Sequence, residues 1–61
     1  ENNFVIINIG EKDKLKIGDR LSVYRDNQYI AGLEVIQVRR DIAAADIRQK
    51  VGKIQAGDIV R

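Results

Sequence analysis

Apolar and polar positions alternate along most of this chain, and the places where the alternation changes phase locate its elements. Phe4-Val5-Ile6-Ile7-Asn8-Ile9 is a nearly continuous apolar run, rich in β-branched residues and too short for a helix. It predicts a first strand with Val5, Ile7 and Ile9 on one face and Phe4, Ile6 and Asn8 on the other. Gly10 ends it, and Glu11-Lys12-Asp13-Lys14 is a solvated turn of alternating charge. Leu15 and Ile17 are expected to tuck beneath the sheet, and a second strand follows from Arg20 to Arg25 with Leu21 and Val23 inward. Asp26-Asn27 predicts a two-residue hairpin, because both residue types tolerate positive φ. That loop sets Arg25 opposite Gln28, Tyr24 opposite Tyr29 and Val23 opposite Ile30.

The third strand runs from Gln28 or Tyr29 to about Arg39, and its alternation breaks. Ile30 and Gly32 share one phase, Leu33 and Val35 take the other, and Ile36 and Val38 switch back. A period-2 strand needs a bulge or a sharp bend to do this, and Gly32 is the natural place. Arg39-Arg40-Asp41 is a charged turn. Ile42-Ala43-Ala44-Ala45-Asp46-Ile47-Arg48 has helical propensity by its alanine content. It is short, uncapped and flanked by strand signals, so it reads as a strand of small residues where the walls of a barrel approach closely. Asp46 is expected to face outward; the alternative is a partly buried carboxylate paired with Arg39 or Arg48.

One unit occurs twice. Leu15-Lys16-Ile17-Gly18-Asp19 and Ile54-Gln55-Ala56-Gly57-Asp58 each place an apolar-x-apolar-Gly-Asp corner directly before β-forming residues. Gly18 and Gly57 supply a backbone shape that a Cβ would penalise. Asp19 and Asp58 can accept hydrogen bonds from nearby backbone N–H groups. These four are structural corners of an all-β fold, either a small five-stranded barrel or a strongly bent antiparallel sheet.

Composition narrows the chemistry. The chain has 61 residues and reads as one small β domain, 1–61, of a longer protein, opening on a polar Glu1-Asn2-Asn3 lead. A domain of this size buries only about 60% of its unfolded surface, and without cysteine neither a disulfide nor a thiolate metal site supplements the core. The net charge of +2 is not the concentrated field of a dedicated nucleic-acid binder. No apolar run approaches the ~20 residues of a transmembrane helix, so membrane insertion by this stretch is not expected.

With neither histidine nor cysteine, the usual general base and thiol nucleophile are missing, and Ser22 is the only hydroxyl besides the two tyrosines. The aspartates are spread over turns and corners without calcium-loop spacing, and the glycines make no phosphate-binding pattern. No catalytic residue, metal ligand or cofactor site is assigned. The remaining candidate is a binding surface of Tyr24, Tyr29, Arg20 and Arg25, with Arg39 and Arg40 near it. Tyrosine and arginine anchor protein contacts, and in small barrels they also stack and neutralise single-stranded nucleic acid. The bland alternative is a solvated face that stabilises the hairpin.

The stretches Val5-Ile6-Ile7-Asn8-Ile9-Gly10 and Leu15-Lys16-Ile17-Gly18-Asp19-Arg20-Leu21-Ser22-Val23-Tyr24-Arg25, with Leu33 to Val38, Ile42 to Ala45 and Ile54 to Val60, carry a resemblance over nearly the whole chain. They are similar to the C-terminal domain of flagellar assembly protein T and related bacterial envelope proteins. The resemblance implies a non-catalytic module of the periplasm or cell envelope that acts through protein contacts. A flagellar role is not carried over. The functional expectation is therefore a protein-interaction or assembly module, with a small nucleic-acid-binding barrel as the alternative. Clustered Arg and Lys on the tyrosine face would favour nucleic acid; an exposed apolar strip or an unpaired strand edge would favour a protein partner.

Overall fold

The computed structural model describes residues 3–61; Glu1 and Asn2 of the polar lead lie outside the described residues. Five strands follow in order: β1 (Phe4–Ile7), β2 (Arg20–Arg25), β3 (Gln28–Val38), β4 (Ala43–Lys50) and β5 (Ile59–Val60), with a single 3-10 turn at Glu11–Asp13. They form one antiparallel sheet in the order β1-β4-β3-β2-β5, curled into a half-barrel. The predicted all-β class holds, and the alanine-rich stretch is a strand.

Burial on the concave side explains that choice. Ala43 and Ala45 are 2% and 0% exposed, between β1 and β3, where a larger side chain would push the walls apart. Leu33, Val23 and Val35 fill the rest of the interior. Val5, Ile7 and Ile9 face this core as the alternation predicts, while Phe4 and Ile6 face out.

The long strand β3 changes phase through bulges. Ile30 is the extra residue between the pairs Val23↔Ala31 and Tyr24↔Tyr29, and Ile36 between Val35↔Ala45 and Gln37↔Ala44. Val23 therefore faces Ala31 and not Ile30, a correction to the hairpin register; the bulge lets Ile30 and Ala31 both be buried. At Gly32 the β3–β4 register also slips, but there the extra residue is Arg48 on the opposite strand. Tyr29 lies across Gly32, its Oη 2.7 Å from where a Cβ would stand.

Both corners form, and they form alike. Gly18 and Gly57 have φ of +96° and +95°. Asp19 N–H donates to the Lys16 carbonyl and Asp58 N–H to that of Gln55, each at 3.1 Å, the signature of a type II turn with glycine third. Each aspartate then accepts the backbone N–H three residues back, Lys16 to Asp19 at 2.9 Å and Gln55 to Asp58 at 2.8 Å. The hairpin residues Asp26 and Asn27 have φ of +52° and +65°, the shape a two-residue hairpin demands.

A second expectation fails: Leu15 is buried but Ile17 is 69% exposed. Ile17 is the second residue of the turn, so its side chain projects from the corner instead of following Leu15 inward.

Candidate functional site

The tyrosine face was the sequence candidate, and the structure brings only part of it together. Tyr24 and Tyr29 meet edge to face with ring centroids 6.1 Å apart. Arg25 is adjacent to Tyr24 on a strand and so points to the other face. Its guanidinium grips Asp58 through both carboxylate oxygens, at 2.8 and 3.0 Å, and also donates to the Lys53 carbonyl. The Asp58 side chain is only 5% exposed in this pair. Arg25 and the Gln55 N–H together hold its carboxyl below the usual range, and Asp58 in turn raises the Arg25 guanidinium. Arg25 is thus a latch that ties the segment before β5 to β2.

Arg20 lies at the other end of β2, 4.0 Å from Glu34, which also accepts a 3.0 Å bond from Arg48. Asp46 faces outward opposite Phe4 and Glu34, and the Arg48 with which it was a candidate pair goes to Glu34 instead. The cation beside the tyrosines is Arg61, 4.6 Å above the Tyr24 ring, a contact sequence reasoning missed. Alternation along β2 places Arg25 away from Tyr24. Only the fold of β5 against β2 brings in Arg61. The two tyrosines are engaged with each other, with Arg61 and, through a 3.2 Å hydroxyl bond, with Gln49. Chemically, this face is a self-satisfied patch of mixed charge.

The open side of the half-barrel is different. Ile47 N–H donates to the Asn3 carbonyl at 2.6 Å, which makes that a hydrogen-bonded pair. By the two-residue repeat, Val5 and Ile7 also bond to β4, and Phe4 and Ile6 direct their N–H and C=O groups away from it. Among the described residues β1 has no other strand neighbour. At the opposite border Ser22 and Arg61 exchange both backbone bonds, at 2.8 and 2.9 Å, so Val60 directs its backbone groups away from β2.

Between these borders lies a cavity of about 630 Å³, walled by Val5, Ile7, Ile54 and Val60, floored by Val23 and Leu33. Among the described residues the one ionisable side chain lining it is Asp58, already neutralised by Arg25. No charged residue occurs from Asn2 to Gly10. Beside this edge the convex face exposes Phe4 (44%) and Ile6 (60%), next to Ile42 and Ile36 (46% and 43%).

The two borders were legible only in part. The apolar run marked β1 as a strand, but nothing in the alternation says that a strand has one neighbour. Among the described residues no group of His, Cys, Asp and Glu is arranged to hold a metal ion. Comparison with protein-family models, with characterised proteins and with solved structures gave no match.

Proposed function

We propose that this domain is a non-catalytic protein-interaction or assembly module, and that it serves a larger protein of the bacterial cell envelope. The observation that carries the interaction reading is the unprotected edge of β1. Native sheets guard such edges with lysine, proline, bulges or a covering element, because unpaired N–H and C=O groups template the addition of another strand. Here the edge has no charge and no proline, and it borders a strip of exposed isoleucine and phenylalanine. Contiguous apolar patches of a few hundred Å² mark interaction surfaces. The envelope placement rests on the resemblance carried by the two Gly-Asp units and the first strand.

Nucleic acid is the less favoured occupant. A stacking platform needs an open aromatic face, and that of Tyr24 lies under Arg61. Glu34 lies between Arg20 and Arg48 and offsets their charge.

Two measurements test the reading together. Labelled single- and double-stranded oligonucleotides titrated at low salt are expected to give no anisotropy change. A photocrosslinking residue at Ile6, introduced in the parent cell, is expected to trap protein adducts that the same residue at Tyr24 does not. Oligonucleotide binding that falls with salt and disappears in Tyr24→Ala would overturn the proposal.

A further inference from the structure

Counting strand directions around the half-barrel shows what its open side needs. Each neighbouring pair in β1-β4-β3-β2-β5 is antiparallel, so with five strands the two borders run in the same direction. β1 and β5 could close on each other only as a parallel pair, breaking the pattern of the whole sheet. One inserted strand, antiparallel to both, would close it with unbroken alternation. We infer that the open side takes a single extended segment of a partner protein as a sixth strand, antiparallel to β1 and β5. This rests on the protein-interaction reading above and specifies how that surface is used.

The chemistry of the segment follows from the borders. Phe4 and Ile6 on one side and Val60 on the other present unpaired backbone donors and acceptors, the requirement for binding by strand addition. Side chains entering the cavity meet Val5, Ile7, Val23, Leu33, Ile54 and Val60 together with the polar Asn8 and Gln55, so the inward residues of the segment that reach the Val23–Leu33 floor are apolar. A charge at an inward position would be left without a counter-ion, since Arg25 already occupies Asp58. Lys53, next to the cavity-lining Ile54, is exposed and without an acidic partner among the described residues, whereas Arg61 is turned to the other face over Tyr24. Charge complementarity with Lys53 therefore places an acidic residue at that flank of the incoming strand. β1, Phe4–Ile7, offers a ladder four residues long at roughly 3.3 Å each.

The test uses the isotope-labelled domain and a capped synthetic heptapeptide that alternates valine and threonine, with an aspartate at each end. Hydrogen exchange of the Phe4, Ile6 and Val60 amides is expected to slow at least about tenfold with saturating peptide, as for groups newly drawn into a ladder. Ile6→Pro removes only an outward N–H, so the β4 pairing survives and peptide binding weakens by about tenfold. If that variant loses its fold, the same peptide N-methylated at the amides that would face β1 serves instead, and it is expected to give no protection. Unchanged exchange at all three amides overturns the inference. So does a response limited to Ile36 and Ile42, which would leave the protein-interaction reading standing without the inserted strand. Protection that rises with protein concentration in the absence of peptide would make the occupant a second copy and also overturn it.

Discussion

Asp19 and Asp58 occupy the same place in two copies of one turn, yet only Asp58 also receives a guanidinium. Its folded carboxyl is held below the ordinary 3.8 by the Arg25 hydrogen bonds first and the Gln55 N–H second. A carboxylate whose pKa is depressed by folding adds stability that is fully present above its unfolded value and is lost as pH falls through its folded value. The latch is therefore intact at neutral pH, and its pH-dependent share fades only below 3.8. Arg25, its guanidinium raised further by the hydrogen bonds to Asp58, stays cationic throughout and adds no slope in this range. Asp58→Asn is expected to lower stability at pH 7 and to flatten the acid limb of the stability curve. Urea midpoints between about pH 2.5 and 7 would check this, and an unchanged acid limb would count against the latch. At this scale the chain was largely readable, because Gly-Asp spacing specifies a local turn. Arg25 was not, since its partner lies 33 positions away.

Among the elements, two glycines separate conformational need from lack of space. Gly18 has positive φ with nothing near its absent Cβ. Gly10 is extended, but a Cβ there would stand 2.3 Å from the Arg39 carbonyl oxygen and 2.7 Å from that of Arg40. Those carbonyls accept the N–H groups of Glu11 and Lys12, stapling the 3-10 turn after β1 to the β3–β4 turn. Gly10→Ala is expected to cost about 1–3 kcal/mol through overpacking. Gly18→Ala costs about 1–2 kcal/mol through its φ. Asparagine distinguishes the two in chemical denaturation: it tolerates the third position of a type II turn, so Gly18→Asn recovers most of the loss and Gly10→Asn recovers none. Strand identity was readable from β-branched content and alternation. The bulges were visible as breaks in β3, but the position of the first was set by the need to bury Ile30 and Ala31 together. Ile17 was misread because alternation does not continue through a turn.

For the molecule as a whole, a core this small leaves little margin. About 0.05–0.15 kcal/mol per residue over a chain of this length amounts to roughly 3–9 kcal/mol. Leu33 is 2% exposed and among the largest fully buried side chains. Its truncation to alanine costs about 2–5 kcal/mol, a large part of that total. Leu33→Ala is expected to be substantially unfolded at 37 °C by near-ultraviolet circular dichroism, and a cooperative melt well above that temperature would show a more forgiving core. The same economy bears on the open side, where Leu33 floors the cavity. A strand that fills it adds to the core as well as to the sheet.

What the sequence by itself determined was local: the strand faces, the hairpin at Asp26-Asn27, both Gly-Asp corners and the all-β class. Each depends on backbone preference or on alternation within a few residues, and neither needs a distant partner. The tertiary structure alone decided which strands became borders, that Arg25 serves Asp58 while Arg61 covers Tyr24, and that the sheet stops as a half-barrel with like-directed edges. Those outcomes depend on strand order and on contacts between residues far apart in the chain, and a periodic pattern records the faces of a strand without naming its neighbours.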